Sequence, residues 1–239
     1  MTELADIHCH ILPYVDDGAE HLEEMEQLLS LQAEQGVRLV CATPHLRTKM
    51  FEAGDEDVFK QFERAKAFVE SGKLPLKLCL GREYFCDSSF LERLEQGEVM
   101  ALGDGNVVLT EFSGRYSFET ICNFVRRILI AGLRPLVAHV ERYPAVSGDA
   151  DRVAQLIDMG ALIQINAGSV LGREGSAQKR FCWKLMKQNL IHVVASDAHA
   201  PDYRPPELGL CANKIERKLG EDYAERVLWD NPLEIVSQR

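Results

Sequence analysis

Short apolar runs rich in β-branched residues recur along the chain at 5–10, 37–43 (VRLVCAT), 76–81 (LKLCLG), 106–111 (NVVLTE), 135–139 (PLVAH), 161–166 (ALIQIN) and 190–196 (LIHVVAS). Runs that stay apolar at successive positions predict strands covered on both faces, as in parallel sheets. Between them the apolar spacing widens to three and four residues and predicts helices. Over 20–35, Leu22, Met25, Leu28, Leu29 and Gln32 share one face, and Gly36 ends the pattern. Similar stretches cover 57–70, 88–95, 117–131, 149–159 and 176–188, with two closing helices at 206–219 and 221–228. Seven strand–helix alternations predict a closed or nearly closed parallel α/β barrel; a doubly wound open sheet is the alternative.

Composition narrows the class. The chain has 239 residues, 46% hydrophobic and 27% charged, with no linker or repeat, which predicts a single domain over 1–239. A net charge of −10 argues against nucleic-acid or anionic-membrane partners. The first ten residues hold Glu3, Asp6 and two histidines and no apolar core, unlike a signal peptide. The most apolar stretch, 128–140, is broken by Arg134 and Pro135 and is too short to span a bilayer. Seven scattered cysteines without a CxxC pair fit a reduced, cytoplasmic chain.

The barrel is preferred because of where the chemistry falls. Asp6-Ile7-His8-Cys9-His10 places 6, 8 and 10 on one side of a strand, so that both imidazoles reach one ion while Cys9 faces away. Alone, HxH is a weak signal. However, five of the six other runs end in or lead to His45, Glu83, Glu111, His139, Asp197 and His199, and Asp16-Asp17-Gly18 follows the first. The C-terminal rim of a parallel barrel is where catalytic residues gather. His21 and His192 fall elsewhere and read as ordinary structural histidines. Five imidazoles and at least four carboxylates exceed the needs of one zinc and suit two or three divalent ions sharing a carboxylate. Mixed N/O ligation without thiolate fits manganese, iron, zinc or cobalt.

Arg142 and Arg204 lie in the loops that carry His139 and His199. Guanidinium forks beside metal ions are what phosphoryl chemistry uses. A rival signature is Cys41-x5-Arg47-Thr48, the pattern of cysteine-dependent phosphatases. Pro44 removes one of the N–H groups such a loop needs, and Cys41 falls inside a strand, so it reads as core. Arg47 still lies near the pocket by its place after His45.

Taken in order, Asp6-Ile7-His8-Cys9-His10, Asp16-Asp17-Gly18, Thr43-Pro44-His45, Gly81-Arg82-Glu83, Glu111-Phe112, His139-Val140-Glu141-Arg142-Tyr143 and Ser196-Asp197-Ala198-His199 resemble the polymerase-and-histidinol-phosphatase (PHP) superfamily. Within it they are most similar to bacterial protein tyrosine phosphatases of capsule and exopolysaccharide synthesis. The resemblance implies a distorted (β/α)7 barrel with a trinuclear centre, usually of manganese. It places one ion on His8, His10, Glu83 and Asp197, a second on Glu83, Glu111 and His139, and a third on Asp17, His45 and His199. Spacing alone leaves Asp16 and Asp17 open for that last role; the resemblance favours Asp17. It also gives Arg142 and Arg204 the phosphate contacts and implies phosphomonoester hydrolysis without a covalent enzyme intermediate. The implied substrate is a phosphotyrosine protein, such as the tail of an exopolysaccharide tyrosine autokinase. Tyr14 and Val140 depart from the family's frequent Gly and Pro. A small-molecule phosphatase on the same barrel is the rival reading, a non-catalytic regulator is weaker, and a homo-oligomer is compatible with the sequence.

Overall fold

The computed structural model describes residues 3–237. Its strands are β1 (Leu4–Cys9), β2 (Val37–Ala42), β3 (His45–Leu46), β4 (Lys77–Leu80), β5 (Glu83–Phe85), β6 (Val107–Glu111), β7 (Arg134–Val137), β8 (Leu162–Asn166) and β9 (Val193–Ala195). They form two sheets, β1-β2-β4 and β3-β5-β6-β7-β8-β9, and every pair of these strands is parallel. The larger helices, α1 (Leu22–Glu34), α2 (Asp55–Ser71), α3 (Ser88–Gln96), α4 (Phe118–Ile130), α5 (Ala150–Asp158), α7 (Ser176–Lys187) and α8 (Leu208–Leu219), match the predicted stretches. Short α6 (Ala167–Leu171), α9 (Glu221–Glu225) and α10 (Asn231–Val236) complete the set, with a π turn over Arg226–Asp230.

The two sheets belong to one curled wall. The run 37–43 continues past Pro44 into β3, and 76–81 continues past Gly81-Arg82 into β5. Pro44 has no N–H to keep the ladder going. At Gly81 a Cβ would stand 2.6 Å from Leu102 Cδ2 and 3.2 Å from its Cα, so glycine lets the chain pass close to Leu102. Periodicity could not find β3 and β5 because two or three residues hold no period. On the far side β1 meets the end of β9: His10 N–H donates to Ala198 O at 2.8 Å, and Asp197 N–H donates to His8 O at 2.8 Å.

The main core lies between this wall and the helices, where α1 buries Met25, Leu28, Leu29 and Gln32. A smaller core lines the inside, with Ala5, Ile7, Leu39, Cys41 and Leu109. Ile7 belongs to the inner core and Cys9 to the outer one, although strict alternation would put them on the same side. The register explains the switch. Asp6 pairs with Val40 and Cys9 with Ala42, so β1 carries an extra residue there. Such a bulge re-aims the following side chains, here His8 and His10. Asp6 therefore does not join them: it accepts hydrogen bonds from the Ser196 backbone N–H, at 3.0 Å, and hydroxyl.

Candidate metal centre

The nine candidate ligands gather at the C-terminal ends of the strands. His8 is the second-last residue of β1 and His10 follows the strand; Asp17 lies in the next loop; His45 opens β3 beyond β2, Glu83 opens β5 beyond β4 and Glu111 closes β6. His139 follows β7, and Asp197 and His199 follow β9. Donor atoms within 4.8 Å of one another form four overlapping groups: His10–Asp17–His45–His199, His8–His10–Asp197, His8–Glu83–His139 and His45–Glu83–Glu111. These groups contain every ligand expected from the sequence. His21 and His192 stand apart from them.

Glu83 is the hub. Its Oε2 lies 3.2 Å from His8 Nε2, 3.2 Å from His10 Nε2 and 3.1 Å from His45 Nδ1, while Oε1 lies 3.0 Å from His139 Nε2. None of the three approaches to Oε2 has hydrogen-bond geometry, and this fully buried oxygen has no such partner. The buried Glu111 Oε2 and His45 Nδ1 are likewise without one. Asp197 Oδ1 stands 3.4 Å and 3.5 Å from the Nε2 atoms of His8 and His10, and Asp17 Oδ1 stands 3.6 Å from Nε2 of both His45 and His199.

The electrostatics match this crowding. Burial followed by the neighbouring Glu83 charge pushes the Glu111 carboxyl up to about 8. Burial also acts to raise Glu83, but the surrounding imidazoles, led by His8 and His45, hold it well below the usual carboxylate range. Burial lowers His45 to about 4. Buried donor atoms that converge without hydrogen-bond partners are the mark of a site completed by cations, because a divalent ion satisfies several donors at once. Imidazole nitrogens and carboxylate oxygens suit first-row divalent ions. The donor set therefore fits the metals expected.

Supporting residues fix the ligands, and sequence reasoning missed most of them. Asp16 is a support: its Oδ2 takes His10 Nδ1 at 2.7 Å and accepts from His45 N–H at 2.8 Å, and its Oδ1 accepts from Gly18 N–H at 3.0 Å. Gln164 Oε1 accepts from His139 N–H at 2.7 Å and lies 3.1 Å from His8 Nδ1, which leaves the His8 Nε2 facing the cluster. Asn166 Nδ2 donates to Asp197 Oδ2 at 2.6 Å. Tyr143 Oη lies 3.2 Å from His139 Nδ1. Partners of this kind set the tautomer and orientation of ligating imidazoles. The available signal was the amide pair inside an otherwise apolar run, ALIQIN, the one predicted strand that ends in neither His nor acid.

Two ligands sit on strained backbone. His139 has φ 33° and Asp197 φ 53°, left-handed values that cost energy outside glycine and concentrate at functional sites. Tyr14 has φ 67°, a left-handed value that glycine adopts without strain, and its ring is exposed at the surface. Gly18 is also required: a Cβ would lie 2.0 Å from His10 O.

The arginines are adjacent to the cluster. Arg142, at the end of a 3-10 turn over Val140–Arg142, donates from Nη1 to Asp197 Oδ2 at 2.9 Å. Arg204 Nη2 donates to the same oxygen, and its Nη1 lies 3.0 Å from His199 Nε2. Arg47 packs its guanidinium 4.1 Å from the centroid of the Phe85 ring. Cys41 is fully buried, and burial pushes its thiol well up, the opposite of a nucleophilic cysteine.

Fold and site together define a parallel α/β protein whose strand ends carry a histidine–carboxylate cluster able to hold metal ions, flanked by two arginines. The profile of the family "Capsular polysaccharide synthesis, CpsB/CapC" matches residues 4–237, and the chain belongs to that family. It is 35% identical over 238 residues to the tyrosine-protein phosphatase CpsB of Streptococcus pneumoniae, covering 98% of both chains. It is 30% identical over 200 residues to the tyrosine-protein phosphatase YwqE of Bacillus subtilis strain 168, covering 82% of this chain and 77% of that one. A solved structure from work on YwqE and CpsB, described as "unique metal-dependent tyrosine phosphatases", superposes with a TM-score of 0.89. That match has 27% identity and covers 98% of this chain and 94% of the other.

Proposed function

We propose that the chain is a metal-dependent protein tyrosine phosphatase of the PHP type, a single domain over 1–239 folded as a distorted (β/α)7 barrel. Counting β2 with β3 and β4 with β5 as interrupted strands supports seven strand lines. The observation that carries the activity is the convergence of nine nitrogen and oxygen ligands with two guanidinium groups on one of the ligands, Asp197.

In this reading His8, His10, Glu83 and Asp197 hold one ion, Glu83, Glu111 and His139 a second, and Asp17, His45 and His199 a third, with manganese foremost. His10 also lies in the group of Asp17, His45 and His199, and His45 in that of Glu83 and Glu111, which supports a shared cluster. When bound, the ions supply Lewis-acid charge at the phosphoryl group and a water acidified for attack. Arg142 and Arg204 hold the non-bridging oxygens and offset the charge that grows on them. Asp197 keeps both guanidinium groups turned to the cluster before substrate arrives. Phenolate leaves readily, its free pKa being about 10, so a strong general acid is not obligatory.

The substrate is a phosphotyrosine segment of a protein, such as the tail of a tyrosine autokinase, met in the cytoplasm. The relatives' names support the substrate class. Among the described residues no helix is long and apolar enough to cross a membrane. The test is elemental analysis of the purified protein beside turnover of phosphotyrosine peptide, phosphoserine peptide and histidinol phosphate. Bound divalent metal with preference for phosphotyrosine is the expected result; preference for histidinol phosphate overturns it in favour of a small-molecule phosphatase.

A further inference from the structure

Arg142 is held from behind. Its Nε donates to Glu174 Oε2 at 2.8 Å and its Nη2 to Glu174 Oε1 at 2.8 Å, a side-on, two-pronged pair. A guanidinium has five N–H groups in one plane. Glu174 takes two along one edge, and Asp197 takes one from Nη1, which fixes the plane of the group. One further N–H on Nη1 and one on Nη2 take no part in these contacts.

Glu174 reaches this position from the link between α6 and α7, bracketed by Gly172 at φ 98° and Gly175 at φ 108°. The preceding Arg173 anchors the turn through its N–H to Gly168 O at 2.9 Å. A cavity of about 570 Å³ opens beside the pair, lined by Arg142, Asn166, Glu174, Ser196, Tyr203 and Arg204 among others. Arg204 differs: among the described residues its side-chain contacts are with Asp197 and His199, both of them candidate ligands. No carboxylate from outside the cluster grips it in the same way.

We infer that Glu174 is a positioning residue for phosphoryl recognition: it locks the Arg142 guanidinium in the orientation that presents its free N–H groups to the phosphoryl oxygens. This rests on the phosphatase reading above, in which Arg142 touches substrate. Pre-orienting a donor removes the cost of ordering it when substrate binds. A glutamate held only for fold would be indifferent to whether Arg142 is present; a positioning glutamate is not.

The experiment is a double-mutant cycle of E174A and R142A in the metal-loaded enzyme. It reads kcat and KM for a phosphotyrosine peptide, calorimetric binding of inorganic phosphate, metal content and thermal midpoint. E174A alone should lower kcat/KM roughly 10- to 100-fold, the usual cost of removing a partner that orients a site group. It should also weaken phosphate binding while metal content stays unchanged. In the R142A background, E174A should change kcat/KM by less than about twofold, because nothing is left to orient. E174Q keeps the side-chain volume but not the paired acceptors; it should show the same dependence on Arg142 and serves if E174A does not fold. Equal losses in both backgrounds, or no loss with E174A and E174Q while R142A is impaired, overturn the inference alone. Wild-type kinetics in R142A overturn it together with the role of Arg142 in the phosphatase reading.

Discussion

Arg142 Nη1 stands 2.9 Å from Asp197 Oδ2, on a carboxylate whose other oxygen faces His8 and His10. One side chain thus touches both parts of the proposed machinery. Its burial would ordinarily raise the carboxyl pKa, but His8, Arg204 and Arg142 together hold it far below the usual range. Asp197 is therefore a permanent anion, fit to serve cation and guanidinium at once.

Because Glu83 approaches four imidazoles, its loss should be felt across the cluster. Glu83→Ala is expected to lower both bound metal and turnover, whereas His21→Ala, outside the cluster, is expected to change neither. Elemental analysis with steady-state kinetics on the two variants checks this; equal effects would contradict the hub role.

Arg142→Ala and Arg204→Ala should each cost roughly 10²- to 10³-fold in kcat/KM for a phosphotyrosine peptide, the scale of losing one oxyanion donor. Metal content should hold, since guanidinium is not a ligand. Lysine should restore only part of the rate, because an ammonium cannot form the planar two-pronged contact.

The buried thiol of Cys41 predicts that Cys41→Ser retains most activity and that a chelator abolishes it. A folded but inactive Cys41→Ser enzyme, with wild type untouched by chelation, would point back to the thiol mechanism.

Gln164 serves His139 and His8 through one oxygen. Gln164→Leu leaves both donors unpaired and should weaken metal binding about 10- to 100-fold. A competition titration against a chromophoric chelator measures it directly, without reference to turnover.

His192 gives a pH signature of stability away from the site. Burial, then the charge of Arg134, lowers its pKa to about 4, and its Nδ1 accepts from Ile163 N–H at 3.1 Å. Above pH 6.5 the ring is neutral folded or unfolded and adds no pH dependence. As pH falls from 6.5 towards about 4, the unfolded chain takes up a proton that the folded one refuses, so stability drops. Urea unfolding at pH 7 and pH 5 should show a larger loss for wild type than for His192→Gln. Identical losses would mean that His192 does not govern this window.

The sequence by itself determined the alternation of elements and the identity of the candidate ligands. Apolar runs and their helical spacers are local, and His, Asp and Glu at the ends of parallel strands have one rim on which to meet. The resemblance favoured Asp17 over Asp16; the structure places Asp16 against His10 Nδ1 and His45 N–H, and Asp17 near the Nε2 atoms of His45 and His199. Tertiary structure decided the rest, because those features depend on residues far apart in the chain. The bulge in β1 is visible only in its register with β2, and it turns His8 and His10 inward against simple alternation. Gln164 reads as a polar intruder in an apolar strand until β8 is set beside His8 and His139. Glu174 lies 32 positions from Arg142, in a link with no periodicity and no motif, and only the packing of that link against the 3-10 turn joins the two.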